Sequence, residues 1–272
     1  MEPLADARGN KLLRRVRRLL ANRQAREKWG QTVLEGVRLV EDAWRGGLVL
    51  EAVIYSPRLV QTARGQGLLM ALQSGRTRTL YVTDAVLAEL ADVETHQGIL
   101  AVVEARLPRL ASALPPPGGM GVVLVGVQDP GNAGTLIRSA AAAGVDLVGI
   151  GAGTVDPFNP KAVRASAGAV FRTRVGWLEP GWEQSLGGGG ARWYAAEARG
   201  GRPYGEVDWS GTVVLLLGNE GAGLPAAVRE RAQAVSIPME GGVESLNVGV
   251  AGSVLLFHAA RERARMRMQV KR

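Results

Sequence analysis

Three short segments carry most of the side chains that could do chemistry. The first holds Asn132 and, six residues on, Arg138, within VQDPGNAGTLIRSAAAAGVD at 127–146. The second is Gly218-Asn219-Glu220-Gly221-Ala222-Gly223, inside LLLGNEGAGLP at 215–225. The third joins Ile237-Pro238-Met239 to Ser245-Leu246-Asn247, within 236–263. Each sets small or amide-bearing residues after an apolar run and before a helix-like run, which is where open α/β sheets bind ligands. Glycines let a backbone approach a ligand closely, and a carboxylate such as Glu220 can orient a hydroxyl or balance a cation. Each segment also has a plainly structural reading. Pro130-Gly131 forces a turn, after which Asn132 suits a helix N-cap. Arg138 suits a surface ion pair, the glycine run a sharp strand–helix turn, and Ser245 or Asn247 a cap for the last helix. Cys is absent and only His96 and His258 offer imidazole, which sets aside disulfides, thiolate metal sites and His-based hydrolysis.

The elements that must position these segments fall into two groups. ASALPPPGG at 111–119 cannot continue a helix or a central strand, so the chain divides into 1–107, a linker at 108–119, and 120–272. The first part opens with a helix around 8–22 whose apolar face is Leu12, Leu13, Val16, Leu19 and Leu20. Strands then read at TVLE, EAVIYS (51–56), TLYVT (79–83) and GILAVVEA (98–105), with helices between them. Thr83 or Asp84 can cap the helix that runs to Leu90. Such alternation indicates a small α/β layer domain.

In the second part GVVLVGV at 121–127 is apolar throughout, as a strand buried on both faces of a parallel sheet requires. Further strands read at 147–151, 170–175, 193–196, 213–218 and 234–238, and helices near 133–143, 159–167, 180–186, 225–231 and 247–266. The last helix is apolar around most of its circumference, which predicts burial, and Gly249 and Gly252 permit close approach of another backbone.

Charge is concentrated at the ends. Residues 1–28 hold nine Arg and Lys against three acids, and 261–272 hold six against one, so the body between them is net −3 in a chain of net +8. That distribution suits a polyanion, whose phosphates supply sequence-independent affinity. The polar N-terminus and the lack of a long apolar run predict a cytoplasmic protein with no membrane contact.

Together the three segments closely resemble the signature motifs of the SpoU (TrmH) family of RNA ribose 2′-O-methyltransferases, within the SPOUT superfamily. LEGVRLVEDA at 34–43 and HQGILAVVE at 96–104 look like that family's N-terminal substrate-binding domain, whose fold is similar to certain ribosomal proteins. The resemblance implies a C-terminal SPOUT-type parallel-sheet domain containing a trefoil knot, a smaller α/β substrate-binding domain before it, S-adenosylmethionine as cofactor, no metal, and a homodimer contacting through the terminal helix. It implies that Arg138 contacts RNA and helps activate the ribose hydroxyl, together with an RNA phosphate. Glu220, Ser245 and Asn247 would orient the ribose and the loops, and Asn132 would contact RNA or fix Arg138. Leu217, Gly218, Asn219, Gly221, Ile237, Pro238, Met239 and Leu246 would form the cofactor pocket, with Gly218, Ile237 and Leu246 holding adenosine largely through main chain. Arg14, Arg15, Arg17, Arg18 and Arg38 would bind RNA. Large-subunit (23S) ribosomal RNA is the favoured substrate, with transfer RNA the alternative.

Two rival readings are weaker. Gly149-Ile150-Gly151-Ala152-Gly153 suggests a dinucleotide loop, but Thr154 stands where the third glycine belongs and no acid follows at 169–174. A non-catalytic RNA-binding protein would fit the basic ends, yet leaves the joint match of Arg138, Glu220, Ser245 and Asn247 unexplained.

Overall fold

The computed structural model describes residues 9–91 and 95–270, and Arg8, Lys271 and Arg272 of the basic ends lie outside them. The chain forms two units: one runs through Arg106 and takes in Phe158–Phe171, and the other comprises Leu107–Pro157 and Arg172 onward.

In the first unit, α1 (Lys11–Ala21) starts where the Asn10 side chain accepts from the Leu12 and Leu13 amides. Leu12, Leu13, Val16 and Leu19 enter the core as their spacing predicts. A second helix, α2 (Arg23–Trp29), is not foreseen from the sequence; Asn22 ends α1 and caps α2 through its own side chain. Arg26 is buried and donates to the Leu19 and Leu20 carbonyls, satisfying the end of α1. There follow β1 (Gln31–Glu35), α3 (Val37–Arg45), β2 (Leu50–Tyr55), α4 (Ala63–Ser74), β3 (Thr79–Tyr81), α5 (Asp84–Ala88) and β4 (Ile99–Glu104). Thr83 caps α5 through its hydroxyl. The sheet order is β1-β4-β2-β3, with β4 antiparallel to both neighbours and β3 parallel to β2. A short helix, Pro160–Ala165, joins this unit: Arg164 bridges to Glu35 at 3.0 Å, and Thr32 donates to the Phe158 carbonyl at 2.8 Å.

The second unit holds β5 (Arg109–Leu110), β6 (Met120–Leu124), α6 (Pro130–Ala142), β7 (Leu147–Ile150), β8 (Val175–Leu178), β9 (Arg192–Ala196), β10 (Arg202–Pro203), β11 (Val213–Leu217) and β12 (Gln233–Ser236). They form one eight-stranded sheet in the order β10-β12-β9-β11-β6-β7-β8-β5, every pairing parallel. All five residues of β6 and of β11 are buried, as strands covered on both faces must be. The proline-rich stretch packs into this unit: Ala113 is buried, and the Gly118 amide donates to Thr212 Oγ1 at 2.8 Å.

Three expectations need correction. Residues 170–175 do not form a strand. Positive φ at Ala167 and Gly168 turns the chain into a 3-10 turn at Ala169–Phe171, and the sheet is entered only at Val175. The segment 180–186 is a 3-10 turn at Trp182–Ser185 rather than an α-helix. The terminal helix, Val248–Val270, is not buried all round. Leu255, Leu256 and Ala259 are buried, whereas Val250 and Phe257 are about half exposed at 49% and 50%. α6 covers one side of it only: Ser139 and Ser253 share a hydrogen bond of 2.7 Å, and Gly252 sits so close to Leu136 and Leu217 that a Cβ there would overlap their methyl carbons. Further along, Arg263 is buried and donates to the carbonyls of Trp209, Gly211 and Gly118, tying this helix to two loops.

Candidate active site

The strand order places a switch point at β6. From β6 the chain proceeds to β7 on one side, while β11 flanks β6 on the other. In open parallel sheets the crevice beyond the carboxyl ends at such a point binds ligands. The segments that leave β6, β11 and β12 contain the three chemistry-bearing motifs, so the topology brings them to one edge.

Their side chains are held by specific bonds. Asn219 Nδ2 donates to the Gly126 carbonyl at 2.8 Å, fastening the loop after β11 to the loop after β6. Its Oδ1 accepts from the Gly221 and Ala222 amides, both at 2.9 Å, and its backbone exchanges two bonds with Gly223. Gly218 has no room for a side chain, because a Cβ there would lie 2.5 Å from the Gly223 carbonyl carbon and 2.6 Å from the Leu224 nitrogen. The N-cap reading of Asn132 is corrected. Asp129 is the cap and accepts from the Asn132 amide at 2.8 Å, while Pro130 takes the first helical position that its fixed φ suits. The Asn132 side chain is thereby free to donate to Glu220 Oε1 at 2.8 Å. Of the two candidate caps for the terminal helix, Asn247 is the one used: its Oδ1 accepts from the Gly249 and Val250 amides. Ser245 is exposed, and its hydroxyl has no protein partner among the described residues.

The segments after β9, β11 and β12, with the start of the terminal helix, line a cavity of about 300 Å³, at the small end of the range for small-molecule sites. Leu217, Gly218, Asn219, Glu220, Gly221, Ile237, Met239, Ser245 and Leu246 all line it. Pro238 does not, and it is exposed between two lining residues. Asn132, Arg138 and Asn247 also lie outside the lining, Asn132 one hydrogen bond away through Glu220. Arg138 is exposed on α6 and makes no hydrogen bond or ion pair among the described residues. Sequence reading misses the contribution of β9, whose carboxyl end supplies Ala196, Glu197 and Ala198, as well as Arg229 and Leu255. The strand itself is legible at WYAA, and the acid following it at the ligand-binding edge is the available signal.

The arginines predicted to meet RNA, all in the first unit, are not equivalent. Arg14, Arg18 and Arg38 are exposed. Arg15 is paired with Glu51 at 2.5 Å and Arg17 with Glu89 at 2.6 Å. Arg14 and Arg18 stand four apart on one face of α1.

Neither histidine belongs to the cavity lining. His96 is buried, and its Nδ1 accepts from the Gly98 amide at 3.2 Å. Burial, and then the Arg58 guanidinium, hold its pKa below the ordinary value, with Asp84 opposing. A folded value below the unfolded one means that the unfolded chain binds the proton more readily. The contribution of His96 is therefore present above about pH 6.5 and is lost as pH falls toward the folded value. Urea unfolding of His96→Gln, followed from about pH 7 to about pH 5, should show a shallower loss of stability than wild type. Equal slopes would contradict this assignment. His258 is likewise held below its ordinary value by burial and packs edge-on to Tyr204 at 4.6 Å between ring centroids.

Comparison with known proteins agrees with the geometry. The family model for the SpoU rRNA Methylase family matches residues 119–257, and that for the MRM3-like substrate binding domain matches residues 10–101. The chain is 35% identical to the 23S rRNA (guanosine(2553)-2′-O)-methyltransferase RlmP of Bacillus subtilis, over 88% of this chain and 92% of that one. It is 30% identical to the 23S rRNA (uridine(2479)-2′-O)-methyltransferase of Streptomyces viridochromogenes, over 90% and 88%. Among solved structures, the SpoU methyltransferase AviRb from Streptomyces viridochromogenes, in complex with the cofactor AdoMet, superposes with a TM-score of 0.80 at 28% identity, covering 94% of this chain and all of that one.

Proposed function

The chain belongs to the SpoU rRNA methylase family, and on that premise we propose that it transfers a methyl group from S-adenosylmethionine to a ribose 2′-hydroxyl of 23S ribosomal RNA. The observation that carries the reading is one cavity lined by the segments after β9, β11 and β12, with the loop after β6 fastened beside it through the Asn219–Gly126 bond. The cavity suits the cofactor. Its lining includes the apolar Leu217, Val235, Ile237 and Leu255, and one lining residue, Glu197, carries a buried carboxylate oxygen, Oε1, with no partner among the described residues. When bound, S-adenosylmethionine supplies an electrophilic methyl group on a sulfonium sulfur.

The residues of this chain then have distinct tasks. A ribose hydroxyl is a weak acid and a poor nucleophile, so it needs help in losing its proton. A guanidinium keeps its positive charge at physiological pH. Arg138 stabilises the developing alkoxide while the proton passes to an RNA phosphate oxygen. Attack of the ribose oxygen on that methyl group would leave the electron pair of the broken carbon–sulfur bond on sulfur. Glu220, held by Asn132, orients the ribose with Ser245, and Asn247 fixes the end of the terminal helix beside Leu246. Gly218, Ile237 and Leu246 hold adenosine through main chain, and the loop built around Asn219 excludes water from the reacting atoms.

Arg14, Arg18 and Arg38 meet RNA phosphates in the substrate-binding unit. Replacing Arg14 and Arg18 with Ala should weaken RNA binding and lower the slope of log K against log salt by about one for each phosphate no longer neutralised. Replacing the carboxylate-paired Arg15 and Arg17 should do less. An unchanged slope in the first pair contradicts their assignment. The exposed Val250, Val254 and Phe257 on the terminal helix support a homodimer. Equilibrium sedimentation at micromolar concentration should give twice the chain mass, and a strict monomer overturns that assembly. Among the described residues no helix is long and apolar enough to cross a membrane, and we place the protein in the cytoplasm with its ribosomal substrate. Incubation with labelled S-adenosylmethionine and unmodified RNA fractions tests the substrate: label in 23S rRNA is expected, and label confined to transfer RNA would overturn the choice.

A further inference from the structure

We propose that Glu197 fixes the nucleoside end of the cofactor by accepting hydrogen bonds from its ribose hydroxyls, an inference that rests on the methyltransferase reading above. Glu197 follows β9, and its amide still donates to the Val235 carbonyl at 2.9 Å, so its backbone is held by the sheet rather than by a free loop. Glu197 lines the cavity, and its Oε1 is shielded from solvent with no hydrogen-bond partner among the described residues. A buried carboxylate oxygen without a donor is costly. In a residue that lines a cavity, such a carboxylate points to a donor that arrives with the ligand.

The sheet order says which part of the ligand that is. Glu220 and Asn132 mark the reacting end, beside β6 and β11. β9 lies on the far side of β11 from β6. With neighbouring strands about 4.8 Å apart, β9 is roughly 10 Å from β6. That is far enough to set the sulfonium at one end of the cavity and the nucleoside at the other. The surroundings of Glu197 agree. Ala196, Val235 and Ile237 offer apolar surface for a base, and the donors that adjoin a base in this cofactor are its ribose hydroxyls. An acid near the carboxyl end of a strand takes a ribose diol in the same way in other parallel-sheet nucleotide sites.

Titration calorimetry on the whole chain tests this, using S-adenosylhomocysteine and its 2′-deoxy and 3′-deoxy analogues. Wild type should bind at least one deoxy analogue about tenfold more weakly than the parent. Glu197→Ala should bind the parent about tenfold more weakly and should no longer distinguish that analogue, while Glu197→Gln, which keeps an acceptor, should fall between. Without ligand, Glu197→Ala should melt no lower than wild type, since no protein partner is removed. Parent binding by Glu197→Ala at wild-type strength, undiminished discrimination against the deoxy analogues, or a lowered melting temperature would each overturn the proposal. Failure of wild type to bind S-adenosylhomocysteine would instead overturn the cofactor reading on which it rests.

Discussion

Arg138→Ala should lose about 10²- to 10⁴-fold in methyl transfer while binding S-adenosylhomocysteine as wild type does. The separation follows from where the residue stands. Arg138 lies outside the cavity lining and makes no bond to the loops that build it. Its removal leaves Gly218, Asn219 and the β12 loop as they are. On α6 its neighbours Leu136 and Ile137 are buried while Arg138 itself is exposed, so truncation opens no hole in the core. The loss should therefore fall on kcat. Arg138→Lys should recover little, because a compact ammonium does not reproduce the planar fork that meets a phosphate and an alkoxide together. Single-turnover methylation at saturating RNA, paired with calorimetry, reads both quantities. Near-wild-type turnover in Arg138→Ala would remove this residue from the mechanism. A matching loss of cofactor affinity would make it a structural residue.

Gly218→Ala should weaken binding of S-adenosylhomocysteine by about 100-fold, with turnover falling accordingly. The added methyl would meet the backbone at Gly223 and Leu224, at 2.5 and 2.6 Å, rather than the tip of a mobile side chain. The loop must therefore move as a whole, at a cost in the upper part of the overpacking range, about 3 kcal/mol. Gly221 offers the control. A Cβ there meets only Asn219 Oδ1, at 3.7 Å, which is ordinary contact. Gly221→Ala should bind within a few-fold of wild type. Equal affinities for Gly218→Ala and wild type would show that the loop after β11 does not shape the pocket.

Much of this architecture is legible in the residues, for identifiable reasons. β6 and β11 are apolar without alternation, a pattern that only strands covered on both faces show. The apolar spacing of Leu12, Leu13, Val16 and Leu19 specifies α1. Nine of the twenty residues that line the cavity can be found because the ligand-binding edge of a parallel sheet is marked by glycines and amides after apolar runs. What escapes depends on contacts and backbone angles that composition and periodicity do not show. α2 is secured by Arg26 reaching back to α1 carbonyls, which composition does not announce. Val170–Arg174 opens on two residues that favour strands, but two positive-φ residues turn the chain before it can pair. Asn132 looks like a cap until Asp129 is set against it, and the displaced side chain instead holds Glu220. Glu197 escapes because neither its burial nor its lack of a partner is visible until β9 and β12 lie side by side. The exposed face of the terminal helix escapes because an all-round apolar helix reads as buried, with no sign in one chain of which side is left uncovered.

The position of the transferred methyl decides the central claim. Unmodified 23S rRNA should be treated with the protein and S-adenosylmethionine, digested to nucleosides and analysed by mass spectrometry, with an alkaline digest in parallel. The expected product is one 2′-O-methylnucleoside, whose ribose carries the added mass and whose 3′ phosphodiester survives alkali. A methylated base with an alkali-labile linkage, or no methylated nucleoside from a protein that binds the cofactor and the RNA, would contradict ribose 2′-O-methylation by this chain.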